Sequence, residues 1–165
     1  MHNPHLTQAH KLISSTQVKR SLTPRRRARE YALQGIYQWL VVRTAGSLPN
    51  QSSIERQLSE DPGFKKAQDE LFYSLFDGVC TNLEALEAEI LKHIDRPMEE
   101  LSPVELSTLL IGAFELKFDL STPYKVAINE AVELAKTFGG TDGHKYVNGV
   151  LDKLAKDLRT LEINS

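Results

Sequence analysis

Arg25, Arg26, Arg27 and Arg29 fall within one short run, and the chemistry available to such a run is anion binding. A guanidinium group presents a rigid fork of donors that fits phosphate oxygens, and it neither gains nor loses a proton near neutral pH, so the cluster can hold a polyanion but cannot catalyse proton transfer. A second candidate lies in TFGGTDGHKY, where Gly139, Gly140, Asp142, Gly143 and His144 come nearest to a phosphate loop. The glycines stand where a helix has to end, so a helix corner accounts for them, with Asp142 placed to cap the next helix. Lys145 and Tyr146 then add a cation and a ring to the first turn of that helix. His144 could serve as a general base, but only Asp142 accompanies it, and no nucleophile does. His2, His5 and His10 have ligand chemistry without a scaffold or an accompanying cysteine, which argues against a metal site. No G-x-S-x-G, H-E-x-x-H, Walker or dinucleotide fingerprint is present. The single cysteine, Cys80, excludes an intrachain disulfide and reads as a buried thiol. Neither catalysis nor a cofactor is expected.

The elements that must carry these groups read as helices throughout. Thr23 and Pro24 are an N-cap and first-turn pair for a helix reaching about Val42, with Gly46 ending it and Ala28, Ala32, Ile36, Trp39 and Leu40 as its buried stripe. On that helix Arg25, Arg26 and Arg29 fall within a sector of about 100°, with Arg27 roughly opposite. Cations at a helix N-terminus oppose the macrodipole, so a purely structural helix would sooner place acids there. A polyanionic partner explains the arrangement, and a solvated charge run is the alternative. Ser52 and Glu55 have capping-box spacing for a short helix ending near Asp61. From Phe64 to Ile94 one stripe of apolar residues predicts a long central helix. Ser102-Pro103-Val104-Glu105 is a capping box before a strongly apolar helix that must be largely surrounded. Thr122 and Pro123 open a helix burying Tyr124, Ala127, Ile128, Ala131, Leu134, Ala135 and Phe138, and Gly139 and Gly140 can end it with positive φ. The last helix buries Val147, Val150, Leu151, Leu154, Leu158 and Leu161, with Gly149 allowing a close backbone approach. With no strand-length alternation, the fold class is all-α, with about six or seven helices.

Composition agrees with one cytoplasmic domain, since 165 residues at 41% hydrophobic content can bury a real core and no window suggests a secretory signal or a membrane span. The net charge of −2 is unevenly spread. Residues 1–29 hold seven basic residues and no acid, a net +7, which leaves 13 basic against 22 acidic residues and a net −9 for the rest. Residues 1–22 read as a flexible basic leader, polar and poor in residues to bury.

PRRRARE with ALQGIYQW near the start, and YKVAINEAVELAKTFG followed by HKYVNGVLDKL near the end, resemble the NusB family of bacterial transcription antitermination factors over about Pro24 to Lys156. The resemblance implies a compact all-α bundle of two packed helical subdomains over residues 23–163, without catalytic activity. It also implies that the protein pairs with NusE, a protein of the small ribosomal subunit. The pair would bind single-stranded boxA RNA within the transcription elongation complex and make transcription of ribosomal RNA operons processive. Carried over by position, the RNA contacts fall on Arg25, Arg26 and Arg29, with Arg27 less central, and on Lys145 and Tyr146, where the family commonly has phenylalanine. Asp142 joins them because its carboxylate competes for the place a phosphate would take at that helix start. Tyr37 and Glu105 match positions facing NusE and the RNA, although Glu105 is also a capping-box residue and Tyr37 could be core. Leu110 stands where many relatives have arginine. The free protein would be a monomer or a homodimer. Two alternatives remain: a regulatory domain related to the NusB-like part of an RNA methyltransferase, and a helical scaffold that binds only proteins.

Overall fold

Thr23 begins the first helix as its type and place predict: its Oγ1 accepts a hydrogen bond from the Arg26 N–H at 3.1 Å, and Pro24 fills the first turn. The structure, a computed structural model, describes residues 22–165. The leader assigned to residues 1–22, with His2, His5 and His10, lies outside the described residues except for Leu22. The chain divides into two compact helical units at Cys80–Thr81. Eight α-helices and no strand are present among the described residues.

The first unit contains α1 (Pro24–Thr44), α2 (Gln51–Ser59), a 3-10 turn at Pro62–Lys66 and α3 (Asp69–Thr81). Gly46 ends α1 with a φ of 84°, a left-handed conformation in which glycine alone is unstrained. Burial on α1 is continuous from Ala28 to Gln38, far wider than the predicted stripe. The predicted central helix over residues 64–94 is therefore corrected. That segment breaks at residues 67–68 and again at Asn82, and the enclosed helix of this unit is α1. The capping box at Ser52 is also corrected, because Asn50 is the cap and its Oδ1 accepts from the Ser53 N–H at 2.9 Å. The unit's core is aromatic. Phe64 meets Tyr31 and Phe72 edge-on at 5.3 and 5.1 Å between centroids, and Phe72 stacks on Phe76. The Tyr31 hydroxyl, at the end of this cluster, donates to Asp61.

The second unit contains α4 (Leu83–Leu91), a 3-10 turn at Met98–Glu100, α5 (Pro103–Phe118), α6 (Tyr124–Phe138), α7 (Gly143–Leu158) and the short α8 (Thr160–Ile163). Helices α5, α6 and α7 pack on one another, and α5 is buried without a break from Leu106 to Leu116. Gly112 makes this possible, since a Cβ there would lie 2.7 Å from Leu151 Cδ1 and 3.3 Å from Ala131 Cβ. The capping box on α5 forms as expected, with Ser102 Oγ accepting from the Glu105 N–H at 3.1 Å and Glu105 accepting from the Ser102 N–H at 3.3 Å.

Several local expectations fail around α6 and α7. Thr122 does not cap α6: its hydroxyl turns back to donate to Asp119, and the Tyr124 N–H donates instead to Glu162 Oε1 at 3.0 Å. Gly139 ends α6 in an extended conformation, and the only positive φ among the described residues is at Gly46. Gly149 faces open space, with no neighbour for a Cβ. The helix expected to run through Leu161 stops at Leu158, and Leu161, on the short α8, is 89% exposed. Arg159 explains that stop. It is buried, and it donates to the carbonyls of Leu116 (2.7 Å), Glu115 (2.9 Å), Asp119 (2.8 Å) and Thr122 (3.0 Å), closing the C-terminal end of α5 and the turn into α6. Its remaining arm pairs with Glu162, the residue that caps α6.

Candidate nucleic-acid interface

In the first unit, α1 begins without an acid in its first turn, so its free N–H groups and its arginines give one sign of field. Arg25 and Arg26 are exposed, and Arg25 Nη1 donates to Gln68 Oε1 at 2.8 Å, which orders one of its arms along the surface. Arg27 is half-buried. Arg29 is buried, 3% exposed, so the expected face of three arginines is corrected to the exposed pair Arg25 and Arg26. Arg29 has the angular position predicted for it, but α1 is enclosed on that side from its second turn onward. Tyr37 is also buried, which fits its core reading.

In the second unit, α7 starts at Gly143 beside the side chain of Glu105, whose Cγ lies 3.6 Å from the place of a Gly143 Cβ. Glu105 is thus both a capping residue of α5 and a neighbour of the α7 corner. Asp142 does not cap α7 through its side chain, which corrects that expectation: the carboxylate turns outward to Lys145 Nζ at 3.4 Å, with both groups mostly exposed. The N-cap backbone has ψ near 2° rather than an extended value, which aims the carboxylate away from the first-turn N–H groups. Tyr146 is half-buried. Its hydroxyl lies 3.3 Å from Asp95 Oδ1, and the Arg96 guanidinium sits over its ring at 4.3 Å. Burial raises the Tyr146 hydroxyl pKa, so the phenol stays neutral.

The profile of the NusB family matches residues 26–156. The chain belongs to the NusB family. A transcription antitermination protein NusB of Aromatoleum aromaticum is 54% identical over 145 residues, covering 88% of this chain and 97% of that protein. The protein of the same name from Paraburkholderia xenovorans is 56% identical over 135 residues, covering 82% and 90%. Among solved structures, NusB of T. maritima superposes with a TM-score of 0.73 at 27% identity, covering 88% of this chain and all of that one. A crystal structure of the antitermination factors NusB and NusE in complex with double-stranded RNA gives a TM-score of 0.70 at 26% identity, covering 80% and 96%.

Within this NusB-family fold, Leu110 is fully buried on α5, an apolar packing residue. Cys80 is half-buried, and burial, followed by the charges of Asp77 and Glu55, pushes its thiol up to about 12, so it stays protonated and unreactive. Among the described residues no helix is long and apolar enough to cross a membrane. Sequence reasoning missed Asp95 and Arg96 altogether. Arg96-Pro97 marks a helix stop in the sequence, and nothing local announces that the loop reaches Tyr146, fifty residues further along the chain.

Proposed function

We propose that the chain is a transcription antitermination factor that binds single-stranded boxA-type RNA together with NusE and keeps transcription of ribosomal RNA operons processive as part of the elongation complex. The observation that carries this reading is the acid-free, arginine-bearing start of α1 in a chain that belongs to the NusB family. The similarity to a structure of NusB and NusE with RNA supports both partners. The RNA of that neighbour is double-stranded. For this chain the Arg96 guanidinium lying on the Tyr146 ring favours an unpaired target, because such a plane stacks on a base only where the base is outside a duplex. Arg25 and Arg26 in the first unit and Lys145 in the second supply phosphate contacts, Arg27 is less central on α1, Arg29 orders α1 from within, Tyr37 supports α1 from the core, and Glu105 supports the start of α7 from a helix cap. The protein acts by binding, in the cytoplasm, and no catalytic step is part of this account.

Charge variants test the assignment in the presence of NusE. Arg25→Ala, Arg26→Ala and Lys145→Ala should each weaken RNA binding and reduce the slope of log K against log salt by about 0.7, the value for one lost contact to a single strand. Arg29→Ala should instead lower the melting temperature, because its group is buried. Unchanged salt slopes in the three exposed variants would contradict phosphate binding by these residues.

A further inference from the structure

The loop between α4 and α5 lays Arg96 over Tyr146 of α7, with the guanidinium carbon 4.3 Å from the ring centroid. Asp95 fixes both groups from the side: its Oδ1 accepts from Arg96 Nε at 2.9 Å and from the Tyr146 hydroxyl at 3.3 Å. Two side chains of a surface loop and one of α7 are thereby joined into one unit, with the Arg96 side chain 41% and that of Asp95 72% exposed. Such a unit contributes little to stability, since exposed cation–π and ion pairs are weak in water. It does present a planar cation held through its Nε, with the flat face turned from Tyr146 open to a ligand beside the N–H groups of its two Nη atoms. Asp95, first through its hydrogen bond, and Glu105 hold the guanidinium in its charged form. The same two acids offset its pull on a distant phosphate, whereas the planar face is not weakened by them.

We propose that Arg96 is a base-stacking residue of the RNA site: an unpaired RNA base lies on the outward face of its guanidinium, making a stack of base, Arg96 and Tyr146, with Asp95 as the positioning residue. The inference rests on the RNA-binding reading above and deepens it. Tyr146 then acts on that side as the support of a stacking arginine and does not meet the base itself. Guanidinium planes stack on bases much as aromatic rings do, and lysine, a compact ammonium, cannot replace them.

The test titrates the NusE-bound protein with a labelled single-stranded boxA-type RNA, comparing the parent with Arg96→Lys, Arg96→Ala, Asp95→Ala and, as a reference for RNA binding, Arg25→Ala. Stacking predicts that Arg96→Lys and Arg96→Ala both weaken binding about tenfold, within the usual range for one stacked base, and that Arg96→Lys keeps the parental salt slope. Asp95→Ala should weaken binding in the parent and add nothing in the Arg96→Ala background, a coupling that a merely structural loop residue would not give. Parental affinity for Arg96→Lys, with a lowered salt slope only in Arg96→Ala, would overturn stacking in favour of a point-charge contact. If Arg25→Ala weakens binding while neither Arg96 variant does, the Arg96 inference fails and RNA binding stands. If Arg25→Ala is silent as well, the RNA-binding reading fails, and this inference with it.

Discussion

Glu55 on α2 and Asp77 on α3 are neighbours, and Gln51 Nε2 donates to Asp77 at 2.6 Å beside them. Burial first, then the hydrogen bond and charge of Asp77, raise the Glu55 carboxyl from 4.5 to about 7, with Gln51 pulling the other way. The folded protein therefore keeps a proton that the unfolded chain releases near 4.5, and folding takes up that proton between the two values. The associated stability is complete below the lower value and is lost as pH rises through about 7. Melting temperatures should accordingly fall between about pH 5 and about pH 8. Glu55→Gln, which imitates the protonated form, should flatten that fall and melt above the parent at the alkaline end; a parallel profile would contradict the shared proton. Asp142 poses a different question, because its carboxylate pairs with Lys145 and caps nothing. Asp142→Asn should leave the melting temperature unchanged, free Lys145, remove a charge that repels phosphate, and tighten RNA binding severalfold with NusE present, less so at higher salt. Weaker binding with the fold intact would place the RNA away from the start of α7.

Arg159 decides where α7 ends, and it couples three helices by serving the carbonyl end of α5 while pairing with Glu162, the cap of α6. Arg159→Met should cost about 3–5 kcal/mol in urea unfolding, since it leaves several buried carbonyls and one carboxylate without their donor. A loss under 1 kcal/mol would mean that water replaces the arginine at no cost. Gly112→Ala should cost about 1–3 kcal/mol, because the new methyl meets Leu151 at the convergence of α5, α6 and α7. The faces of α6 and α7 were legible in the sequence: Ala127, Ile128, Ala131, Leu134, Ala135 and Phe138, like Val147, Val150, Leu151 and Leu154, are buried as their spacing predicts. The capping box of α5 and the Thr23 cap of α1 were legible because both involve residues three apart. Arg159 was not, since its acceptors lie about forty residues back and no periodicity encodes them. The burial of Arg29 was hidden for a related reason: helical spacing gives direction around an axis and not what is packed on that side. The same holds for Arg96, whose partner ring is distant in sequence.

At the scale of the whole molecule, a chain of net charge −2 concentrates +7 in its first 29 residues and leaves −9 to the rest. Bulk attraction for RNA is therefore weak, and affinity has to come from a few placed groups. The exposed arginines of α1 belong to one helical unit, and Lys145, Arg96 and Tyr146 belong to the other. So few contacts give modest affinity unless a partner supplies more, which is the physical reason for assigning NusE a share in recognition. The most direct test is a titration of labelled single-stranded boxA-type RNA with the protein alone and with equimolar NusE, at two salt concentrations. Weak, strongly salt-dependent binding by the protein alone and binding at least tenfold tighter with NusE is the predicted result. Equal affinity with and without NusE, or no RNA binding in either case, would contradict it.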